Sequence, residues 1–399
     1  MHICLVSQEY PPDTAFGGIG TQTWNKAWSL TELGHRVTVV SASRRPTEDT
    51  RSELVNGVEV RRIRTPNTNS SGHHPTAYWM AYSYEVSLEI QRLVKIGEVD
   101  VIDFAEYAAE GIHYILDHDE GSRRPVAVQL HGPLAMFSER VGWPESESDF
   151  CRLGTLLEEI CIQRADALMA CSANIADFTA VRHRVDRDSI SVVHCGVDTN
   201  TFCPKGPRAE SPTILFVGNV TPAKGILTLV NAALSLRKTH PDLVLQIAGA
   251  TDEGVQRQIL NLAEAAGMER QVQLLGFVAR EDLPDLYRRA WVFASPAFHE
   301  PGVANVYLEA MACACPVVVA NTGGGPEAVD PEVTGVLVPP NDVNALRDAL
   351  SRIVGSSSTR DALGANGWLK AKSYFGMDQY VQRVLSVYER AISVARARY

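Results

Sequence analysis

The feature that most constrains the fold is a pattern that runs once and then starts again. Short apolar segments alternate with amphipathic helical stretches: ICLVS (3–7), VTVVSAS (37–43), GVEVRRI (57–63), DVIDFA (100–105), PVAVQLHG (125–132), ALMACS (167–172) and ISVVHCG (190–196). A helical stretch from about Thr21 to Leu33 is closed by Gly34. Near-continuous apolar strands of this kind belong to parallel sheets, whose two faces are covered by helices. After Pro204-Lys205-Gly206-Pro207 the alternation restarts with ILFVGNV (214–220), LVLQIAGA (243–250), VQLLGF (272–277), WVFASP (291–296), PVVVAN (316–321) and GVLVPP (335–340). The pattern predicts an α/β protein of two doubly wound, Rossmann-like domains whose strand carboxyl ends face each other across a cleft. The expected boundaries are 1–203, 204–375 with a linker over 204–212, and a helical segment 376–399 returning to the N-terminal domain. The polar stretch RTPNTNSSGHHPTAY (64–78) reads as a mobile surface loop.

Composition removes several other classes. The 399 residues are enough for about two to three domains of ~150 residues. Hydrophobic residues at 45% and charged residues at 21% argue against disorder, collagen and coiled coil. No apolar run approaches the ~18 residues of a membrane span. MHICLVSQEY has no basic segment ahead of an apolar one, so no signal peptide is expected. The cysteines at 4, 151, 161, 171, 195, 203, 313 and 315 form no CxxC pair, which suits reduced thiols in a cytoplasmic enzyme. Residues 1–205 carry 28 acidic against 19 basic side chains, and the remainder 19 against 18. The acidity of the first half disfavours nucleic acid and anionic lipid as partners, so no membrane association is expected.

The sequence has no GxGxxG, since Gly17-Gly18-Ile19-Gly20 has the wrong spacing, and no GxxxxGK[ST], GxSxG or HExxH. Four glycine loops remain, each after an expected strand. Phe16-Gly17-Gly18-Ile19-Gly20 precedes a helix; it is either a tight turn or a place where backbone N–H groups meet an anion. In Gly218-Asn219-Val220-Thr221-Pro222-Ala223-Lys224-Gly225 a lysine at a helix start opposes the dipole, which makes sense beside a phosphate; otherwise it is a solvated lysine. His299-Glu300-Pro301-Gly302-Val303-Ala304-Asn305-Val306-Tyr307-Leu308-Glu309 sets one carboxylate before a helix and one inside it. Either can accept two hydrogen bonds from a vicinal diol. In Thr322-Gly323-Gly324-Gly325-Pro326-Glu327, capping alone accounts for the glutamate.

In order and spacing these loops resemble the retaining glycosyltransferases of the GT-B fold, specifically glycosyltransferase family 4. The carriers are YPPDTAFGGIG (10–20), GHRVTVVS (34–41), LHG (130–132), ADALMACS (165–172), CGVDTNTFCP (195–204), FVGNVTPAKG (216–225), EPGVANVYLEAMACACPVV (300–318), GGGPEAV (323–329) and TGVLVPPND (334–342). The resemblance implies a nucleotide-sugar donor, a UDP-sugar foremost, held mainly by the second domain, and a hydroxylated acceptor bound by the first. It places Lys224 on the donor diphosphate, with Gly17, Gly18, Gly218 and Asn219 in the donor-binding loops. The backbone of Gly302, Val303, Ala304 and Asn305 would meet phosphate and sugar hydroxyls. Glu309 would grip the ribose, Glu300 the transferred hexose, Phe277 and Val278 the base, and His131 the neighbourhood of the donor sugar. His131, Lys224 and Glu300 are therefore the expected catalytic residues.

Two departures from the family pattern stand out. Asn219 occupies the usual arginine position and removes a bidentate phosphate fork. Either another basic residue reaches in, or the donor depends more on Lys224 and helix dipoles. Eight residues rather than seven separate Glu300 from Glu309, which a one-residue bulge would absorb.

The family's retaining transfer implies same-face departure of diphosphate and approach of the acceptor hydroxyl, without an enzymic nucleophile. No DxD motif appears in the expected donor region, and no metal requirement is expected. Glu9, Asp103 and Glu106, with Tyr107, are the expected acceptor residues. Three carboxylates there suggest a small polyhydroxylated acceptor, with or without an amino group, such as an aminocyclitol or sugar precursor of a natural product; solvated surface carboxylates are the other reading of Glu106. A lipid-linked or polysaccharide acceptor in cell-envelope synthesis is the main rival. A nucleotide-sugar epimerase or hydrolase on the same fold, and a non-catalytic sugar-nucleotide sensor, stand further off.

Overall fold

The computed structural model describes residues 1–14, 17–45, 49–65, 74–97, 99–117 and 123–398. The chain divides into two compact units, 1–196 with 377–399, and 197–376.

In the first unit the strands are β1 (His2–Val6), β2 (Arg36–Ala42), β3 (Arg51–Val55), β4 (Val58–Ile63), β5 (Val101–Ala105), β6 (Val126–Leu130), β7 (Ala167–Ala170) and β8 (Ile190–Val192). Among the described residues they form one sheet in the order β3-β4-β2-β1-β5-β6-β7-β8. All pairings are parallel except β3 with β4. β1, β5 and β6 are buried along their whole length, as expected for a central parallel ladder. β3 is absent from the sequence-based strand set. RSELV carries an arginine and a glutamate and alternates half-buried with exposed, so it has the polar signature of an edge rather than an apolar run.

Helices α1 (Gly18–Glu32), α2 (Pro75–Ile96), α3 (Ile112–Asp117), α4 (Leu134–Val141), α5 (Asp149–Gln163) and α6 (Ala173–His183) follow in this unit. Gly34 at φ +82° turns the chain from α1 into β2. Part of the stretch expected to be a surface loop, residues 66–73, lies outside the described residues. Pro75–Tyr78 is instead the first turn of α2, with proline where a helix tolerates it and His74 accepting from the Thr76 N–H.

The second unit holds β9 (Thr213–Val217), β10 (Val244–Ala248), β11 (Val272–Gly276), β12 (Val292–Ser295), β13 (Val317–Ala320) and β14 (Gly335–Val338), all parallel, in the order β11-β10-β9-β12-β13-β14. Its helices are α7 (Ile226–Ser235), α8 (Glu253–Ala266), α9 (Leu283–Arg289), α10 (Asn305–Ala312), α11 (Gly325–Ala328), α12 (Val343–Gly355) and α13 (Ser357–Ser373). Its core gathers Ile214, Phe216, Leu229, Leu245, Ile247, Ala294, Val318 and Leu350, all nearly inaccessible.

The unit boundary falls at Gly196/Val197, ahead of the linker read from the Pro/Gly segment. Residues 197–203 pack on the second unit: Val197 N–H donates to the Phe375 carbonyl, and Phe202 lies edge-on to Tyr287. Arg288 donates to the carbonyls of Thr201 and Cys203. Helix α14 (Met377–Arg396) belongs to the first unit. Tyr380, Val381, Val384, Val387, Tyr388 and Ala391 recur at helical spacing and join the core of Ile3, Leu5, Val39 and Val101. Each fully buried side chain of this size contributes roughly 1.5–3 kcal/mol.

Candidate functional site

In the second unit three loops expected to carry donor chemistry are packed on one another. Gly218, at φ +143°, ends β9, and a Cβ on Gly249 would fall 1.8 Å from its carbonyl oxygen. Asn219 is exposed. The chain then makes a 3-10 turn, Pro222–Lys224, and Gly225 at φ +70° starts α7. A Cβ on Gly225 would lie 2.0 Å from the Pro296 carbonyl, and Phe298 N–H donates to Ala223. The lysine loop is thereby fixed to the loop after β12. In consequence Lys224 Nζ donates to Glu300 Oε2 at 2.5 Å.

The glycine loop at 322–325 has a structural reason beyond capping. Gly324 N–H donates to the Glu300 carbonyl, and Cβ atoms on Gly323 or Gly324 would strike the backbone of Glu300 or Gly302 at 1.8 and 2.1 Å. It is the floor of the Glu300–Val303 loop. Pro301, Gly302 and Val303 are buried, and Ala304 starts α10 without a side-chain cap. The positive end of the helix dipole lies here, an arrangement that favours negative charge.

Glu309 is one turn into α10 and 3% exposed. Its two oxygens are already engaged, Oε1 with Arg280 Nη1 at 3.0 Å and Oε2 with the Tyr287 hydroxyl at 3.1 Å. Burial and the neighbouring Glu309 push the Tyr287 phenol well above its ordinary range. Phe277 is 73% exposed after the β11 strand, where the ladder with β10 shifts register between Ile247 and Ala248, and Val278 is half-buried. Arg280 stands three residues beyond Phe277, with its guanidinium 5.3 Å from the centre of the Phe202 ring. The sequence reading missed Arg280 and Tyr287. A cation beside the expected base segment was the available signal for Arg280.

In the first unit Gly17 and Gly18 are exposed at the start of α1. Glu9 packs under that start: a Cβ on Gly17 would come 2.9 Å from Glu9 Oε2, and one on Gly20 2.9 Å from Glu9 Cβ. His131 and Gly132 follow β6, and both backbone N–H groups donate to Glu106 Oε1 at 2.6 Å. The His131 ring is half-buried and lines a small cavity with Thr23, Lys26, Asp103 and Gln129. Burial, aided by the Lys26 cation, pushes its pKa down to about 3, so the imidazole is neutral at ordinary pH.

The expected cluster of acceptor carboxylates is not formed. Asp103 is 3% exposed and committed inside the unit, accepting from Lys26 Nζ at 2.5 Å and from the Tyr388 hydroxyl of α14 at 2.6 Å. Lys26 also donates to Gln129. Glu106 is fully buried and holds the His131 turn, so it is neither an acceptor contact nor a solvated carboxylate. The physical reason is position. Asp103 lies within the central strand, and Glu106 follows its end and folds back under the neighbouring β6 turn. Tyr107 is half-buried beside it.

Two further buried acids escaped the sequence reading. Glu110 accepts from the Gln8 N–H at 2.8 Å and Glu158 from the Leu134 N–H at 2.8 Å. Glu106, Glu110 and Glu158 each leave one buried oxygen without a hydrogen-bond partner. Burial is the main cause that raises all three, Glu106 to about 7 and Glu110 to about 8, with Glu158 well above its usual range. The turn that joins them, 106–110, carries Ala108 and Ala109 at positive φ. All eight cysteines are buried and unbridged. Among the described residues there is no group of three His, Cys, Asp or Glu side chains able to hold a metal ion, and no helix is long and apolar enough to cross a membrane.

Residues 198–369 match the family described as glycosyl transferases group 1, and residues 16–201 match glycosyltransferase family 4. A D-inositol 3-phosphate glycosyltransferase of Salinispora tropica is 34% identical over 263 residues, 60% of this chain and 54% of that relative. Thus the matched region spans about half the length of that protein. A glycogen synthase of Mycobacterium tuberculosis is 28% identical over 370 residues, 89% of this chain and 86% of the relative. Among solved structures, sucrose-phosphate synthase from Thermosynechococcus elongatus superposes with a TM-score of 0.83 at 22% identity, covering 98% of this chain and 99% of that one. Anabaena Alr3699/HepE in complex with UDP and glucose superposes with a TM-score of 0.74 at 19% identity, covering 98% and 99%. The chain belongs to the group 1 glycosyltransferases and has the GT-B fold.

Proposed function

We propose that the chain transfers a hexose-type sugar, with retention of configuration, from a nucleoside-diphosphate donor bound by the second unit to a hydroxyl of a neutral, polyhydroxylated acceptor bound by the first. The observation that carries the donor half is the Lys224–Glu300 pair on a glycine-packed loop beside the uncapped start of α10. A diphosphate would take Lys224 and the α10 N–H groups, which stabilise negative charge as it develops on the leaving group. Glu300, released from its cation, would turn to the hexose hydroxyls. The ribose diol would exchange with Arg280 for Glu309 Oε1. Exposed Phe277 and the backbone at Val278 would border the base, for which a uracil nucleotide is the first choice.

The bond from the anomeric carbon to the phosphate oxygen breaks as the acceptor oxygen arrives on the same face, and the acceptor proton passes to the departing phosphate oxygen. Lys224 and the helix start provide the positive charge this step requires, so we place no metal in it. Neutral His131 would accept or donate a hydrogen bond at the sugar. On the acceptor side, the buried cations Lys26 and Arg62 are both committed, Lys26 to Asp103, and Arg62 to Glu53 and the Tyr10 and Pro11 carbonyls. Neither of these two is free to hold a phosphate, and an uncharged acceptor is our first choice. Asp103 and Glu106, two of the three carboxylates that motivated an amino group, are occupied, so the amino group is dropped.

The test is a thermal-shift panel of UDP-, GDP-, ADP- and dTDP-sugars on wild type and Lys224→Ala. A ligand at about 100 times its Kd stabilises the native state by about 2.7 kcal/mol. One sugar nucleotide should raise the wild-type melting temperature and raise that of Lys224→Ala much less. No shift with any donor at millimolar concentration would overturn the proposal.

A further inference from the structure

Two buried carboxyl groups take up every backbone N–H of the turn that carries His131. Glu106 Oε1 accepts from His131 and Gly132 at 2.6 Å each. Pro133 has no N–H, and Glu158 Oε2 accepts from Leu134, the first residue of α4, at 2.8 Å. The two acids come from different elements, Glu106 from the turn after β5 and Glu158 from α5, and both are inaccessible to solvent. Glu106 is itself tied to β6, because its N–H donates to the Gln129 carbonyl at 3.0 Å. The His131 carbonyl in turn meets the Cys171 thiol, at the end of β7, at 3.9 Å.

The backbone joined by this clamp is in conformations that side chains rarely allow. Gly132 is at φ +147°, and Ala108 and Ala109, just after Glu106, are at φ +65° and +48°. A non-glycine residue at positive φ persists where its surroundings over-determine it, and such residues gather at functional sites. The clamp is also unfavourable electrostatically. Burial opposes ionisation of both acids, and the charge of Glu106 opposes that of Glu158. Each acid keeps one buried oxygen without a hydrogen-bond partner, a further penalty that an apolar residue would not carry. A turn held at that cost is held for its shape.

We propose that Glu106 and Glu158 are positioning residues of the transfer step, which act through the His131 turn and fix where the imidazole stands toward the donor sugar. The inference rests on the placement of His131 at the sugar proposed above and names the residues that set it. A misplacement of about 1 Å can cost about 10²-fold in rate, so a turn fixed from two elements has a consequence for the reaction. Glu106→Asp is the graded probe. It keeps the carboxyl group and withdraws its oxygens by one C–C bond, about 1.5 Å. Glu158→Ala releases Leu134 and leaves the bonds of Glu106 in place. Glu106→Gln and Glu158→Gln keep a carbonyl oxygen for the same N–H groups.

The experiment is NMR on the full chain with isotope-labelled histidine, the His131 ring signal being identified by its loss in His131→Gln. Wild type and the four variants each receive UDP-glucose, GDP-mannose, ADP-glucose and dTDP-glucose, and then the bare nucleoside diphosphates. Thermal shifts with the same compounds measure donor binding, and hydrogen exchange of the 131–134 amides measures the clamp. In wild type the sugar nucleotide that binds should move the His131 signal at least twice as far as its bare diphosphate does. Glu106→Asp and Glu158→Ala should lose at least half of that response and exchange the turn's amides at least tenfold faster. Both Gln variants should restore the response and the protection, and the nucleotide thermal shift should be the same throughout. If Glu158→Ala fails to fold, Glu106→Asp decides. Faster amide exchange with the wild-type His131 response overturns the proposal, because the turn would then be held for the fold alone. Unchanged amide exchange in Glu106→Asp and Glu158→Ala overturns it too, as does a wild-type His131 signal indifferent to the bound sugar. Absence of any thermal shift in wild type is instead a failure of the donor reading, and the amide exchange separates the two.

Discussion

Lys224 Nζ and Glu300 Oε2 stand 2.5 Å apart although 76 residues separate them, because Gly225 and Phe298 fix their two loops together. The pair is partly exposed, 34% and 18% by side chain, so its value to the fold is that of a screened ion pair, about 1 kcal/mol or less. In the reaction proposed above its role toward a diphosphate is the larger one.

Lys224→Ala should therefore change the melting temperature little and turnover greatly. Removal of one preorganised group that stabilises developing charge costs about 10²–10³ in rate. Steady-state kinetics with the donor identified by thermal shift checks this. A variant that loses stability and retains turnover would place Lys224 in the scaffold alone.

Glu309→Ala should do both kinds of damage. The Tyr287 hydroxyl is fully buried and would lose the carboxylate it donates to, a cost of about 1–3 kcal/mol. The donor KM should also rise at least tenfold, since a diol would lose its acceptor. Arg280→Ala leaves the Tyr287 bond intact, so it should move donor KM with little change in melting temperature. Equal donor KM in wild type and both variants would remove Glu309 from the donor site.

Asp103 tests a structural role. It and Lys26 are both nearly inaccessible, and breaking such a pair from one side costs about 3–5 kcal/mol, because the other charge remains buried. Asp103→Asn should lower the melting temperature by several degrees, and Lys26→Met combined with Asp103→Leu should recover much of that loss. Chemical denaturation of Asp103→Asn, Lys26→Met, Asp103→Leu and the double variant measures it. Additive losses in the double variant would contradict the pairing.

What the sequence made legible followed from periodicity. Every strand of the second unit, and every strand of the first except β3, is an apolar run between turn residues, and packing against helices requires that. The packing of the glycine loops was legible because glycines mark places where backbones nearly touch, as Gly249 on Gly218 and Gly324 on Gly302 do. The acids of the first unit misled because a carboxylate after a strand has the same letter whether it faces water or folds back under a neighbouring turn. Asp103 could have been read differently from its partner. Lys26 lies among the buried face of α1, with Thr23, Ala27 and Leu30, and a cation there needs an anion. Glu158 is likewise on the buried face of α5. Tyr388, 285 residues from Asp103, has no local signal at all.

The buried acids give the protein a pH dependence whose sign follows from linkage. Glu106 and Glu110 titrate near 7 and 8 in the folded chain and near 4.5 when exposed, so over that interval the folded state holds more protons than the unfolded one. Stability from these groups is complete below about pH 4.5 and falls as pH rises through 7 and 8. His131 acts in the opposite sense. Its folded pKa is about 3 against an ordinary 6.5, so its contribution is present above pH 6.5 and is lost as pH falls toward 3. Between 4.5 and 6.5 the slopes oppose each other, and from 6.5 to 8 the acids act alone. The melting temperature should decline across that upper window. Glu106→Gln keeps a carbonyl oxygen for the His131 and Gly132 N–H groups and removes one ionisation, so its decline from pH 6.5 to 8 should be shallower and its stability at pH 8 at least that of wild type. Thermal melts of both proteins at half-unit steps decide the matter, and parallel curves would mean that Glu106 already carries its charge in the fold.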